Sequence, residues 1–310
     1  MSSKLNNIQI GFIGFGKFAE KHQNTIEKFK NAKLKNILKR KKISLKGFTV
    51  FTNINAFKKF HYDIILIITP AKSHFKIFKQ IYKNINKIVI EKPLFSKSSE
   101  YDEFISLKDT KDNLIVNYSE LFNKNFHIYN KISKKKKILR AKLEFGIKQV
   151  VKDKLFYISE WLPHPLSMLF MIFKSIDLHD ISYISHDNKF FKVKIALSSE
   201  NILIDLIISN NFEPKKRQMK IYTKDNKTIF YSSATKEPIK INNKKMECFD
   251  SQETLYNLWN YVLYTKNKSY FDKFQKNLFH NKIIKLSDKI LKNIEDEFKK
   301  ISFKKKPFRE

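Results

Sequence analysis

The chain has 310 residues, 42% of them hydrophobic with 29 Phe and 13 Tyr, enough apolar material for a large core and two domains and too much for a disordered chain. Its formal charge of +32 would ordinarily point to a polyanion, yet the cations are almost all lysine, with arginine only at Arg40, Arg140, Arg217 and Arg309. Dispersed lysine lacks the planar fork that reads bases and grips phosphates, so it reads as compositional bias and nucleic acid is not the expected partner.

In chain order, Ile8, Ile10, Phe12 and Ile13 form an apolar strand that runs into Gly14, Gly16 and Ala19, the pattern G-x-G-x-x-A, with a helix following from about Lys17 to Lys30. Three of the five glycines of the chain, Gly11, Gly14 and Gly16, fall within this stretch. The physical reading is a dinucleotide turn. Gly14 permits the tight bend, Gly16 admits the pyrophosphate, Ala19 lets helix and strand pack closely, and the helix N-terminus supplies N–H donors. Gly11, Phe12, Gly14, Phe15, Gly16, Lys17 and Phe18 are therefore the expected cofactor-binding turn.

A second strand is expected over Leu34–Leu38. An Asp or Glu usually follows it to hold the adenosine ribose, but none occurs between Asn31 and Leu45, where Arg40, Lys41 and Lys42 stand instead. Cations there suit a 2′-phosphate, so the cofactor is expected to be NAD or NADP, with NADP favoured and Arg40 among its ligands. Phe48–Phe51 reads as a third strand and Asn53–Phe60 as a short helix. Asp63–Thr69, DIILIIT, has the continuous apolar run of a central parallel strand, ended by Pro70. His74–Asn84 reads as helix, Lys87–Glu91 as strand, Ser98–Asp109 as helix and Leu114–Asn117 as strand. This βα alternation predicts a doubly wound parallel sheet over residues 1–118.

From Tyr118 the pattern changes. A helix at Phe126–Ser133, an alternating strand at Ile138–Phe145 and a helix at Pro165–Phe173 precede strands at Phe190–Leu197, Ile202–Ile208, Met219–Thr223 and Thr228–Tyr231, with a hairpin turn at Asp225–Lys227. Helices are expected at Glu253–Thr265 and Asn277–Lys299, with a frayed tail over Phe303–Glu310. Residues 119–310 are thus expected to form a mostly antiparallel open-sheet domain covered by helices, an α+β partner to the N-terminal α/β domain.

Cys248 is the only cysteine, which rules out an intramolecular disulfide and a thiolate-rich metal site. Glu247 and Asp250 beside it would raise its thiol pKa, so it reads as structural. The polar start MSSKLNN has no signal-peptide character and no apolar run reaches membrane-spanning length, so a cytoplasmic location is expected.

Two places could carry chemistry. Glu91-Lys92-Pro93 ends a parallel strand, where open α/β sheets bind ligands, and a lysine there can polarise or protonate a substrate oxygen. In Glu160-Trp161-Leu162-Pro163-His164-Pro165 the imidazole of His164 is held between prolines at a helix start and, as an imidazole, could donate or accept a proton near neutrality, with Glu160 able to orient it or bind a hydroxyl. Hydride transfer needs a bound nicotinamide and one acid/base, which Lys92 or His164 would supply. His164, His179 and His186 lack metal-ligand spacing, His179-Asp180 reads as loop, and no G-x-S-x-G is present.

The glycine turn, with Lys21-His22 after it, then Thr69-Pro70 with His74, then Glu91-Lys92-Pro93, resembles the glucose-fructose oxidoreductase / inositol dehydrogenase (Gfo/Idh/MocA) family in order and spacing. The resemblance implies an NAD(P)-dependent dehydrogenase or reductase acting on a sugar, sugar nucleotide or related polyol, and self-association through the C-terminal sheet. It places cofactor contacts at Thr69, Pro70, His74, Glu91 and Lys92, and catalytic roles at Lys92 and His164. Glu160 stands where many members have aspartate. That replacement and the missing acid after the second strand motivate a rival reading, a catalytically inactive nucleotide-binding sensor or scaffold.

Overall fold

A computed structural model of the chain describes residues 7–41, 43–107, 114–185, 189–246, 248, 254–264, 272 and 275–304. The chain divides into two compact units, Met1–Phe122 with Glu253–Asn281, and Asn123–Gln252 with Lys282–Glu310.

The first unit is built on β1 (Ile8–Ile13), β2 (Ala32–Leu38), β3 (Thr49–Phe51), β4 (Ile64–Ile67), β5 (Lys87–Glu91) and β6 (Leu114–Asn117), between which run α1 (Lys17–Ile26), α2 (Ile54–Phe57), α3 (His74–Ile81) and α4 (Ser98–Ser106). The strands are parallel in the order β3-β2-β1-β4-β5-β6. All four residues of β4 and of β6 are buried, as expected of strands covered on both faces. The order reverses between β1 and β4, so the carboxyl ends of these strands frame the crevice where such sheets bind ligands. Helices α1 and α4 stop short of the expected Lys30 and Asp109; part of the latter stretch, 108–113, lies outside the described residues.

A split at residue 118 places Glu253–Asn281 in the second domain, but this segment clusters with the first unit. Helix α8 (Thr254–Tyr264) packs on α1, burying Leu258, Trp259 and Val262. Asn257 Nδ2 donates to Phe122 O at 3.0 Å, and the Lys87 ammonium donates to Val262 O at 2.5 Å. Phe29 and Tyr256 stack with centroids 4.8 Å apart. The apolar face legible in the sequence therefore covers the nucleotide-binding sheet's own helix layer.

His280, at the start of α9 (Asn277–Lys304), is fully buried beside Tyr118 and Phe279. Burial pushes its imidazole down from 6.5 to about 3. The folded protein keeps this ring neutral while the unfolded chain protonates it below about pH 6.5. Its contribution to stability is complete above that pH and is lost as the pH falls toward 3. We expect the denaturant midpoint of the wild type to fall over this window more steeply than that of His280→Leu. Parallel curves for the two proteins would contradict a buried, neutral His280.

The second unit contains α5 (Lys124–Ser133), β7 (Ile138–Gly146), α6 (Lys154–Trp161), α7 (Pro163–Ile172), β8 (Asp177–Ser185), β9 (Phe191–Ser199), β10 (Ile202–Ser209), β11 (Lys216–Thr223), β12 (Thr228–Ser232), β13 (Ile239–Ile241) and β14 (Lys244–Lys245). They form one sheet in the order β14-β13-β12-β11-β7-β10-β9-β8, antiparallel except where β10 lies parallel to β7. Ala141, Leu143 and Phe145 of β7 face the core, while Arg140, Lys142 and Glu144 occupy the opposite face. There Glu144 accepts from Gln218 at 2.6 Å and Lys216 at 3.2 Å, and Arg140 pairs with Asp205.

Two expectations are corrected by the structure. His179-Asp180 belongs to strand β8, not to a loop. The strand lies at the sheet edge, and an irregular register between Leu178 and Asp180 breaks the alternation that would have revealed it. A helix, α6, precedes the proline-rich turn, and α7 begins at Pro163, two residues before Pro165. Cys248 is half-buried and its thiol donates to Met246 O, whereas Glu247 and Asp250 lie outside the described residues, as do His186 and the tail beyond 304. Among the described residues, no helix is long and apolar enough to cross a membrane and no cluster of ligands could hold a metal ion.

Candidate active site

The glycine turn lies at the carboxyl end of β1. Gly14 has φ +100°, and a Cβ there would stand 2.5 Å from Ile68 O at the end of β4, so only glycine fits. Gly14 N also donates to Leu38 O at 2.9 Å, which ties the turn to the end of β2. Gly16 is the N-cap of α1 and makes no side-chain cap. A Cβ on it would meet nothing within 4 Å. The first turn of α1 therefore presents N–H groups into open space, the cradle a diphosphate requires. Ala19 is fully buried, which accounts for the small residue at the end of the motif.

The other residues of the turn divide by position. Gly16, Lys17 and Phe18 are exposed and Phe15 is half-buried, whereas Phe12 is wholly buried. Gly11 faces inward, since a Cβ there would come within 2.9 Å of Phe57 and Tyr62. Its smallness serves ring packing beneath the strand. Arg40 and Lys41, both exposed, follow the end of β2, and Lys42 lies outside the described residues.

His74 joins the two loops beyond β4 and β5. Its Nε2 lies 2.6 Å from Thr69 O, and its Nδ1 lies 2.9 Å from Pro93 O and 3.1 Å from Leu94 O. The ring thus sets the spacing of Thr69-Pro70 and Glu91-Lys92-Pro93, the second of which contains a cis Lys92–Pro93 bond. The Glu91 carboxylate turns into the core. It accepts from His22 Nε2 at 2.9 Å and from Asn117 Nδ2 at 2.5 Å. Lys92, the next residue, is half-buried. Glu91 is the last residue of β5 and Lys92 follows it directly, so an anchored Glu91 fixes the point of the chain from which Lys92 departs. Glu91 stands among the expected cofactor contacts, but its partner Asn117, and Trp259 as the partner of His22, are not visible in the sequence; the histidine of Lys21-His22 is the one local signal.

In the second unit Glu160 lies in the last turn of α6 and His164 in the first turn of α7. Leu162 between them has φ −55° and ψ −38°, so the backbone stays helical across the junction and the two residues are one turn apart on one side. His164 is 6% exposed, and its carbonyl accepts from Ser167 Oγ at 2.7 Å. Trp161 stacks on Tyr157 and carries the Arg217 guanidinium 5.3 Å from its ring centroid.

A parallel sheet in this strand order, with a glycine turn after its first strand and a lysine beyond its fifth, defines a dinucleotide-binding domain of the Rossmann type. Residues 8–118 match the family profile described as "Oxidoreductase family, NAD-binding Rossmann fold" (Gfo/Idh/MocA), which covers the N-terminal parallel-sheet domain. Solved structures share the whole fold. The MviM dehydrogenase from Clostridium difficile is 18% identical with a TM-score of 0.70, covering 94% of this chain and 100% of that one. The WlbA dehydrogenase from Bordetella pertussis, solved with NADH and UDP-GlcNAcA, is 14% identical with a TM-score of 0.69, covering 94% and 96%. Biliverdin reductase from Synechocystis, solved with biliverdin and NADP+, is 13% identical with a TM-score of 0.68, covering 91% and 99%. No curated protein matches the sequence.

Proposed function

We propose that this oxidoreductase uses NADP in preference to NAD to interconvert a carbinol and a carbonyl on a sugar, sugar nucleotide or related polyol. The observation that carries the reading is the shared carboxyl edge of β1, β4 and β5, with an open glycine cradle at one point and Lys92 at another. Fold relatives solved with a UDP-sugar and with NADP+ support the substrate and cofactor classes. When bound, the nicotinamide supplies or accepts the hydride.

The protein's own groups do the rest. Gly14, Phe15, Gly16, Lys17 and Phe18 hold the diphosphate end, with Thr69, Pro70 and His74 shaping the neighbouring loop. The Lys92 ammonium binds the reacting oxygen, drawing charge toward it in reduction and favouring its deprotonation in oxidation. His164 is the proposed proton carrier, with Glu160 one turn away to orient it. The roles of Lys92 and His164 are separable by their pH profiles. Self-association through the second unit's sheet, part of the same proposal, would bury a face bearing Arg140, Lys142 and Glu144.

Arg40 is the test of cofactor choice. With no carboxylate after β2 to bind a ribose hydroxyl, its guanidinium is the group suited to a 2′-phosphate. Isothermal titration should show tighter binding of NADPH than NADH, and Arg40→Ala should weaken NADPH by about 10- to 150-fold, in line with a charge-assisted bond of roughly 1.5–3 kcal/mol, while leaving NADH unchanged. Equal losses for both cofactors would overturn the NADP preference. Binding without turnover across a sugar-nucleotide and polyol panel would favour the sensor reading.

A further inference from the structure

Four buried groups at the carboxyl end of β5 form a directed chain. Trp259 Nε1 lies 3.0 Å from His22 Nδ1, His22 Nε2 lies 2.9 Å from Glu91 Oε1, and Asn117 Nδ2 lies 2.5 Å from the same oxygen. Trp259 and His22 are fully buried, Asn117 is 1% exposed and Glu91 6%. An indole N–H only donates. His22 Nδ1 must therefore be the lone-pair nitrogen, which leaves the ring proton on Nε2, directed at the Glu91 carboxylate. Trp259 thus selects the tautomer of His22. Phe18 closes the other side of the imidazole, edge-on at 5.2 Å.

We infer that Trp259, His22 and Asn117 are positioning residues for Lys92. By supplying two donors to Glu91 they fix the last residue of β5, and with it the point of the chain from which the next residue, Lys92, departs. The inference rests on the proposed function for the purpose of Lys92, but not for the coupling itself. It also gives α8 a role at the site: a residue 237 positions from His22 sets the proton of a ring beneath the catalytic strand.

Two measurements on the full-length protein test this without a substrate. Nitrogen-15 NMR of the histidines should show His22 as a neutral ring protonated on Nε2, assigned by its loss in His22→Gln, and Trp259→Phe should remove that single tautomer. Acylation of lysines, followed peptide by peptide by mass spectrometry, uses the other lysines as internal references. The Lys92 rate should shift selectively in Trp259→Phe and His22→Leu. It should return to the wild-type value in His22→Gln, whose amide accepts and donates at one end. A His22 protonated on Nδ1, or a Lys92 rate unmoved relative to the other lysines in folded Trp259→Phe and His22→Leu, would overturn the relay. Should Trp259→Phe fail to fold, the His22→Leu and His22→Gln pair decides. Coupling found without any turnover would leave the relay standing and count against the enzymatic reading alone.

Discussion

Gly16→Asp is expected to abolish dinucleotide binding while leaving the protein folded. The backbone at Gly16 is in the extended region that any residue adopts, and a Cβ there meets no neighbour within 4 Å. The added carboxylate would instead occupy the open space at the N-terminus of α1 where a diphosphate belongs. Like charges in such a site cost several kcal/mol, so the affinity for NADPH should fall by about 10²-fold or more by calorimetry. The thermal midpoint should move by no more than about 2 °C, as for an ordinary surface change. Gly14→Ala makes the contrast. Its positive φ and the Ile68 carbonyl 2.5 Å away leave no room for a Cβ, so that variant should lose stability as well as binding. Undiminished NADPH binding by folded Gly16→Asp would show that the cofactor lies elsewhere.

Lys92→Met is the second large effect. Methionine keeps much of the length and apolar stem of the side chain and removes the ammonium, so turnover should fall about 10²–10⁴-fold, the usual contribution of an acid/base or oxyanion-binding group. The dissociation constant for NADPH should change by less than about threefold, because the diphosphate cradle belongs to a different strand end. Lys92→Arg is not expected to restore activity where a proton must move, since a guanidinium holds its proton throughout the working range. Steady-state kinetics beside calorimetry separate these outcomes. Unchanged turnover in Lys92→Met would remove the lysine from the mechanism.

Much of the nucleotide-binding unit was legible because its signals are local. The IILI run of β4 is apolar at every position because both faces are covered, and Gly14 after β1 sits where the backbone demands a glycine. The second unit was harder to read. Its edge strand β8 carries Asp177, His179 and Asp180 together with a register break, so period two disappears. Helix α6 ends at Trp161 beside a proline-rich segment that suggests a turn, although Leu162 keeps the helical backbone running into α7. The supports of the candidate site were the least visible. Nothing local in the sequence pairs Trp259 with His22, and Glu91 looks like a cofactor ligand until its carboxylate is seen to face Asn117 and His22. The packing at Gly11 is equally hidden, because a Cβ there would come within 2.9 Å of Phe57 and Tyr62, which are far from it in the sequence.

Deuterium transfer tests the central claim most directly. NADPH labelled at the transferable C4 position is incubated with the protein and a panel of oxidised sugars, sugar nucleotides and polyols, and the products are analysed by mass spectrometry. Label should appear on a carbinol carbon of one product with the wild-type protein, and about 10²–10⁴-fold more slowly with Lys92→Met under conditions where the cofactor still binds. Cofactor bound by the wild type with no label transferred to any member of the panel, in the forward reaction or from labelled carbinols in reverse, would contradict that claim.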